Sequence, residues 1–284
     1  MYNLFIAFYR KFRVLSIDIV FAALSVGLMS TKVLSVNMQT AWWIVLALSV
    51  WIIYTSDHLI DSNKLGDSAS SERRLFYHKN FKLILIIVVI LILVTSFISF
   101  LFLEIQTVYF GIAMSLFVAV YLLVIQLKGS DKIWWLQKEL IVAIVYVFGI
   151  WGAPILYGLN KITISEMILV FTFIQIVWAD ILIIALYELK NDKQDKFTSL
   201  PIIIGKKKTE LLILFLLIES IFLSVMLLFI QETRKEIVFA VIIMILMIFI
   251  MLFMLKKQSY FKHNERYRLV AEAVFFLPIL MILV

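Results

Sequence analysis

Nine stretches of about twenty predominantly apolar residues follow one another along this chain, and each is long enough to cross a bilayer. They lie near Val14–Thr31, Met38–Ser56, Leu83–Leu103, Thr107–Gln126, Leu140–Leu159, Met167–Tyr187, Leu211–Ile230, Ile237–Leu255 and Tyr267–Val284. The runs are too long and continuous for barrel strands, which alternate over about ten residues. Only helices can then satisfy the backbone polar groups in lipid. The predicted fold class is all-α: a single polytopic membrane domain spanning residues 1–284, with nine transmembrane helices. The mean hydropathy of +1.06 agrees.

Charge gives the orientation. The formal net charge is +7, and a basic excess accumulates in cytoplasmic loops. With the N-terminus inside, 21 of the 26 Lys and Arg residues fall on the inner side. Only Lys32, Lys161, Arg234 and Lys235 fall outside, and Lys138 sits at a span start. Topology therefore accounts for the basicity, with membrane lipid as the partner and no nucleic acid. The N-terminus "MYNLFIAFYRKFRV" lacks a small-residue cleavage site and reads as an interfacial segment. The chain has no cysteine and three histidines without helical pairing, which excludes thiolate chemistry and disfavours a zinc site. The expected location is the cell membrane, that of a prokaryote, crossed many times.

Most connections are short, but two are long, at about 57–82 and 188–210, and parity puts both on the cytoplasmic side. They follow the second and sixth spans. Acids gather in them: Asp57, Asp61 and Asp67 in the first, Glu188, Asp192 and Asp195 in the second. Asp57 and Asp61 stand four apart and share a helix face. Glu188, Asp192 and Asp195 form one stripe if the sixth span continues as a helix. Like charges at this spacing repel, so each cluster calls for a cation. Mg²⁺ takes carboxylate oxygens and completes its shell with water and substrate phosphates. Arg73, Arg74 and Lys79 flank the first cluster, and Lys190, Lys193 and Lys196 the second; Arg matches phosphate oxygens with a planar fork. The pattern fits a metal–diphosphate site, although mixed charge at a span end is also what a solvated face looks like.

"SDHLID" and "YELKNDKQDKFTSLPIIIG" together resemble the two Asp-rich motifs of the UbiA superfamily of intramembrane prenyltransferases. Those proteins have nine transmembrane helices and Asp-rich cytoplasmic loops after the second and sixth. The first motif here keeps only Asp57 and Asp61, with Ser56 where the family has asparagine and Leu65 where it has a third acid. The second keeps Glu188, Asp192 and Asp195, then Thr198, Leu200, Pro201 and Gly205.

The resemblance implies Mg²⁺-dependent transfer of a prenyl group from an isoprenoid diphosphate to an aromatic or lipid acceptor. Asp57, Asp61 and Asp192 would be catalytic. Asp57, Asp61, Glu188, Asp192 and Asp195 would hold metal, and Arg73, Arg74, Lys193 and Lys138 the diphosphate. Lys138 also reads as a side chain that snorkels to the interface. Asp180, inside the sixth span where a charge costs roughly 2.5–3.5 kcal/mol, would line the cavity or make an inter-helix hydrogen bond. Tyr54 and Tyr187 would line it too, offering ring faces to a developing cation. Two alternatives stay open: a secondary transporter, whose polar site would lie nearer the bilayer midplane, and a UbiA-like terpene cyclase or non-catalytic homologue.

Overall fold

The computed structural model describes residues 13–65, 72–128, 138–159, 162–195, 197–230 and 234–284. The N-terminal interfacial segment up to residue 12, Asp67, Lys196, Trp134 and Trp135 lie outside these. Among the described residues there is no strand, and the chain divides into two compact units. The first takes in Met1–Leu24 and Met38–Val108, the second Ser25–Asn37 and Tyr109–Val284.

The first unit is built on α2 (Thr40–Leu65), α3 (Glu72–Lys79) and α4 (Phe81–Phe102), with the start of α1 (Ile17–Val33). α4 buries only Ile84, Val88 and Thr95. These three fall on one stripe at helical spacing. Its other faces expose Leu83, Ile86, Leu93, Phe97 and Phe100, a surface suited to acyl chains rather than water. Ile84 and Val88 meet Leu59 of α2 and Tyr77 of α3 in a small core, closed by Trp51, Ile52, Phe76 and Phe81. α3 is thereby pinned back against the end of α2. Trp51 Nε1 donates to the Leu15 carbonyl at 2.9 Å, which fixes the chain ahead of α1.

The second unit runs from Tyr109, within α5 (Ile105–Lys128), through α6 (Lys138–Gly158), α7 (Ile164–Gln194), the one-turn α8 (Leu200–Ile203), α9 (Lys206–Leu228), α10 (Lys235–Lys256), α11 (Gln258–Lys262) and α12 (Arg266–Val274). α7 is its axis, packed against α6, α9, α10 and α12. It buries Leu169, Phe173, Ile176, Leu182 and Ile183, positions that face several neighbours at once, as a helix apolar all round must. Its N-terminus is closed by a capping box: Ser165 N–H donates to Thr163 Oγ1 at 3.2 Å, and Thr163 N–H to Glu166 Oε2 at 2.8 Å. Glu166 is buried and paired with Arg234, which also donates to Ser35 Oγ and the Val33 carbonyl. Gly152 of α6 lets the Phe110 ring lie where a Cβ would stand, only 2.0 Å from that ring's tip.

Seven helices among the described residues are long and apolar enough to cross a membrane, fewer than the nine runs in the sequence. The other two runs are helical but short. α1 has 17 residues and starts just after Ser16, whose φ of 56° ends any upstream continuation. The last run splits into α12 and a 3-10 segment, Leu277–Leu283. Pro278 near the start of that segment lacks the N–H an α-helix needs. Ahead of α12, Asn264 and Glu265 take φ of 52° and 53° in succession, a left-handed pair costing roughly 1–2 kcal/mol per residue.

The long connections also differ from simple loops. α2 continues to Leu65 and α7 to Gln194, so most of the acids in question stand on helix rather than on loop.

Candidate active site

In the first unit, Asp57 and Asp61 lie half-buried on the last two turns of α2, with Tyr54 one turn earlier. α3 carries Arg73 and Arg74 back toward that end. Arg73 Nη1 is 3.1 Å from His58 Nε2, and because a guanidinium only donates, the imidazole nitrogen accepts. The His58 ring leans on Tyr77, centroids 5.3 Å apart. The Tyr77 core thus places a guanidinium beside the residue that follows Asp57.

In the second unit, the helical continuation of α7 puts Glu188 and Asp192 on one face, Asp192 buried. Asp195 is the C-cap residue, one position past the helix; its N–H donates to the Asn191 carbonyl at 2.8 Å. Phe197 N–H closes the turn on the Asp192 carbonyl at 2.8 Å. Lys193 is exposed between the acids.

Glu188 has a strong partner of its own. Arg268 Nε donates to Glu188 Oε1 at 2.9 Å, and Tyr267 Oη lies 3.5 Å from the same oxygen. The Tyr267 ring stacks flat on Tyr187, centroids 4.6 Å apart and 4° from parallel. Tyr187 Oη in turn donates to the Met254 carbonyl at 2.7 Å. Tyr187 also borders a pocket with Ile183, Leu186, Leu255, Lys206 and Lys262.

Two further acids matter. Asp180 is buried two turns before Glu188, and its Oδ1 has no hydrogen-bond partner among the described residues. Glu139, buried at the start of α6, accepts the Leu200 N–H at 2.8 Å and so anchors the turn that follows the second acidic cluster. Lys138 opens α6, its carbonyl 3.5 Å from Tyr121 Oη. Glu139, Tyr267 and Arg268 were not singled out for this role by the sequence. Their partners stand 61, 79 and 80 residues away, beyond any spacing rule.

Among the described residues no three His, Asp or Glu side chains converge as a preformed metal cage. Mg²⁺ does not require one, since it binds through one or two carboxylates plus phosphates and keeps several waters. A pair of carboxylates at a helix end fits an ion that arrives with its phosphates.

The comparisons with known proteins decide the class. Residues 80–278 match the UbiA prenyltransferase family. The chain belongs to that family. The matched span contains Glu188, Asp192 and Asp195 with their turn, and begins after Asp57 and Asp61. A solved structure of a digeranylgeranylglyceryl phosphate synthase in membranes has a similar fold, with TM-score 0.54 and 17% identity over 95% of this chain and 98% of that one. No curated protein matches. This UbiA-family chain is thus a prenyltransferase of the membrane, which sets the transporter reading aside. Enzymes of the family generally use a divalent metal.

Proposed function

We propose that this protein transfers a prenyl group from an isoprenoid diphosphate to a lipid or aromatic acceptor in a Mg²⁺-dependent reaction at the cytoplasmic face. The observation that carries the proposal is the extension of α7 beyond its apolar part. It presents Glu188 and Asp192 on one helical face inside the span that matches the family. The full topology proposed is nine spans with the N-terminus inside, the short α1 and the broken last segment counted as spans.

Asp57 and Asp61 of the first cluster would hold metal, as would Glu188, Asp192 and Asp195 of the second. When bound, Mg²⁺ would supply positive charge against the negative charge that grows on the leaving diphosphate. Arg73, Arg74, Lys193 and Lys138 donate to diphosphate oxygens, an interaction that strengthens as the charge develops. Asp180 and Tyr187 of the second unit, and Tyr54 of the first, would offer polar and aromatic groups to the prenyl chain, and exclusion of water would protect the reacting carbon. A synthase whose product is a prenylated glyceryl phosphate is similar in fold, which supports a lipid hydroxyl as acceptor.

The test is binding of farnesyl or geranylgeranyl thiolodiphosphate to the purified protein, with Mg²⁺ and with EDTA. Wild type, Asp61→Ala and Asp192→Ala are compared. Binding that needs Mg²⁺ and is lost in both variants is expected. Tight binding indifferent to Mg²⁺ and to both substitutions would overturn the paired-carboxylate mechanism. Diphosphate release without any acceptor would point to cyclisation or hydrolysis instead.

A further inference from the structure

Glu188 is held on one side only. Arg268 Nε and Tyr267 Oη both address Oε1, at 2.9 and 3.5 Å, and Oε2 has no hydrogen-bond partner among the described residues. The guanidinium is itself fixed. It is mostly buried, with 15% of its side-chain surface exposed; its Nη1 lies 3.6 Å from Glu265 Oε2, and its charge sits 5.8 Å from the Tyr267 ring centre. The chain enters this arrangement through the left-handed pair Asn264–Glu265. Non-glycine residues keep such a conformation only where their surroundings over-determine it. Here the surroundings are the flat stack of Tyr267 on Tyr187 and the Arg268 ion pair, both at the root of the second acidic cluster.

We propose that Arg268 is a positioning residue for the diphosphate site: it clamps Oε1 of Glu188 so that Oε2 is presented, in a fixed orientation, to the metal–diphosphate. The inference rests on the reading of Glu188 as a metal ligand. Carboxylates that ligate metals are themselves hydrogen-bonded by outer partners, and losing such a partner typically costs 10–100-fold in affinity. Arginine suits the task because its planar fork serves Glu188 and Glu265 together, where a lysine ammonium is a flexible point charge.

A double-mutant cycle on the full-length protein in nanodiscs tests this. The dissociation constant of farnesyl thiolodiphosphate at fixed Mg²⁺ is measured for wild type, Glu188→Gln, Arg268→Gln, Arg268→Lys and the Glu188→Gln/Arg268→Gln double variant, together with ligand-free melting temperatures. If Arg268 acts through Glu188, each single Gln variant weakens Mg²⁺-dependent binding about tenfold. The double variant is then no weaker than either, because residues that act as a unit are non-additive. Arg268→Lys falls between wild type and Arg268→Gln.

Additive losses, about a hundredfold in the double variant, would mean that Arg268 acts independently of Glu188 and would overturn the proposal. A melting-temperature drop in Arg268→Gln with unchanged binding would also overturn it and leave a structural ion pair. If Arg268→Gln fails to fold, Arg268→Lys decides, and wild-type affinity there is fatal to the idea. If Glu188→Gln binds as wild type, the metal-ligand reading of Glu188 fails, and this inference goes with it. That outcome is distinct from the preceding ones, in which Glu188 matters and Arg268 does not act through it.

Discussion

Asp180 shows how much a single residue can cost. Its carboxylate is buried in α7 with one oxygen unpartnered among the described residues, and a buried polar group left unsatisfied costs about 1–3 kcal/mol. Asp180→Leu is therefore expected to raise the thermal stability of the detergent-solubilised protein by an amount in that range while weakening prenyl-thiolodiphosphate binding. Lower stability would mean that the carboxylate is a structural hydrogen-bonding group. At this scale the sequence was readable where chemistry repeats at helical spacing. Glu188 with Asp192, and Asp57 with Asp61, could be picked out as i, i+4 pairs. Arg268 and Glu139 could not. An arginine in the basic stretch before the last apolar run and a lone glutamate at a span start carry no periodicity, and only the folded chain brings them to Glu188 and the Leu200 N–H.

At the scale of the element, α7 draws on its first turn as well as on its apolar length. Thr163 and Glu166 close the capping box, and Arg234 ties Glu166 to Ser35 and the Val33 carbonyl. Arg234→Ala leaves Glu166 buried without its cation. It should cost on the order of 2 kcal/mol, the scale of hydrogen bonds to charged groups, with Thr163→Ala nearer 1 kcal/mol; chemical denaturation in detergent would read both. An Arg234→Ala protein as stable as wild type would show that the clamp is dispensable. The apolar runs made these helices legible, but not their ends. The residues that stop a helix, Ser16 with its positive φ and Pro278 behind α12, sit inside or beside stretches whose hydropathy never falls. Hydropathy alone reads through such breaks. Nor did the sequence require α7 to carry its acids on continuous helix; it made that a condition, and the backbone meets it for Glu188 and Asp192, with Asp195 at the C-cap.

For the whole molecule, topology is the decisive expectation, and the absence of cysteine makes it easy to test. Single cysteines at Lys79 and Gln194 should react with a membrane-impermeant maleimide only after the cell is opened, and those at Glu104 and Lys235 from outside. Any reversal would sink the N-terminus-inside, nine-span arrangement. The charge distribution carries that expectation because it sums over every connection, so one misjudged helix end barely moves it. The division into two compact units had no such signal, since no change in composition marks Val108.

One feature of the second unit reaches past chemistry into mechanics. At 31 residues, α7 is a rod of roughly 46 Å, longer than the roughly 30 Å hydrocarbon core it crosses. Pivoted at its capped end, such a rod would sweep its far tip through roughly 8 Å for a ten-degree change in tilt. α7 is moored at both ends instead, by Glu166–Arg234 near one and Glu188–Arg268 near the other. A lever fastened twice becomes a post, and the carboxylates mounted on it keep their height relative to the helices that moor it.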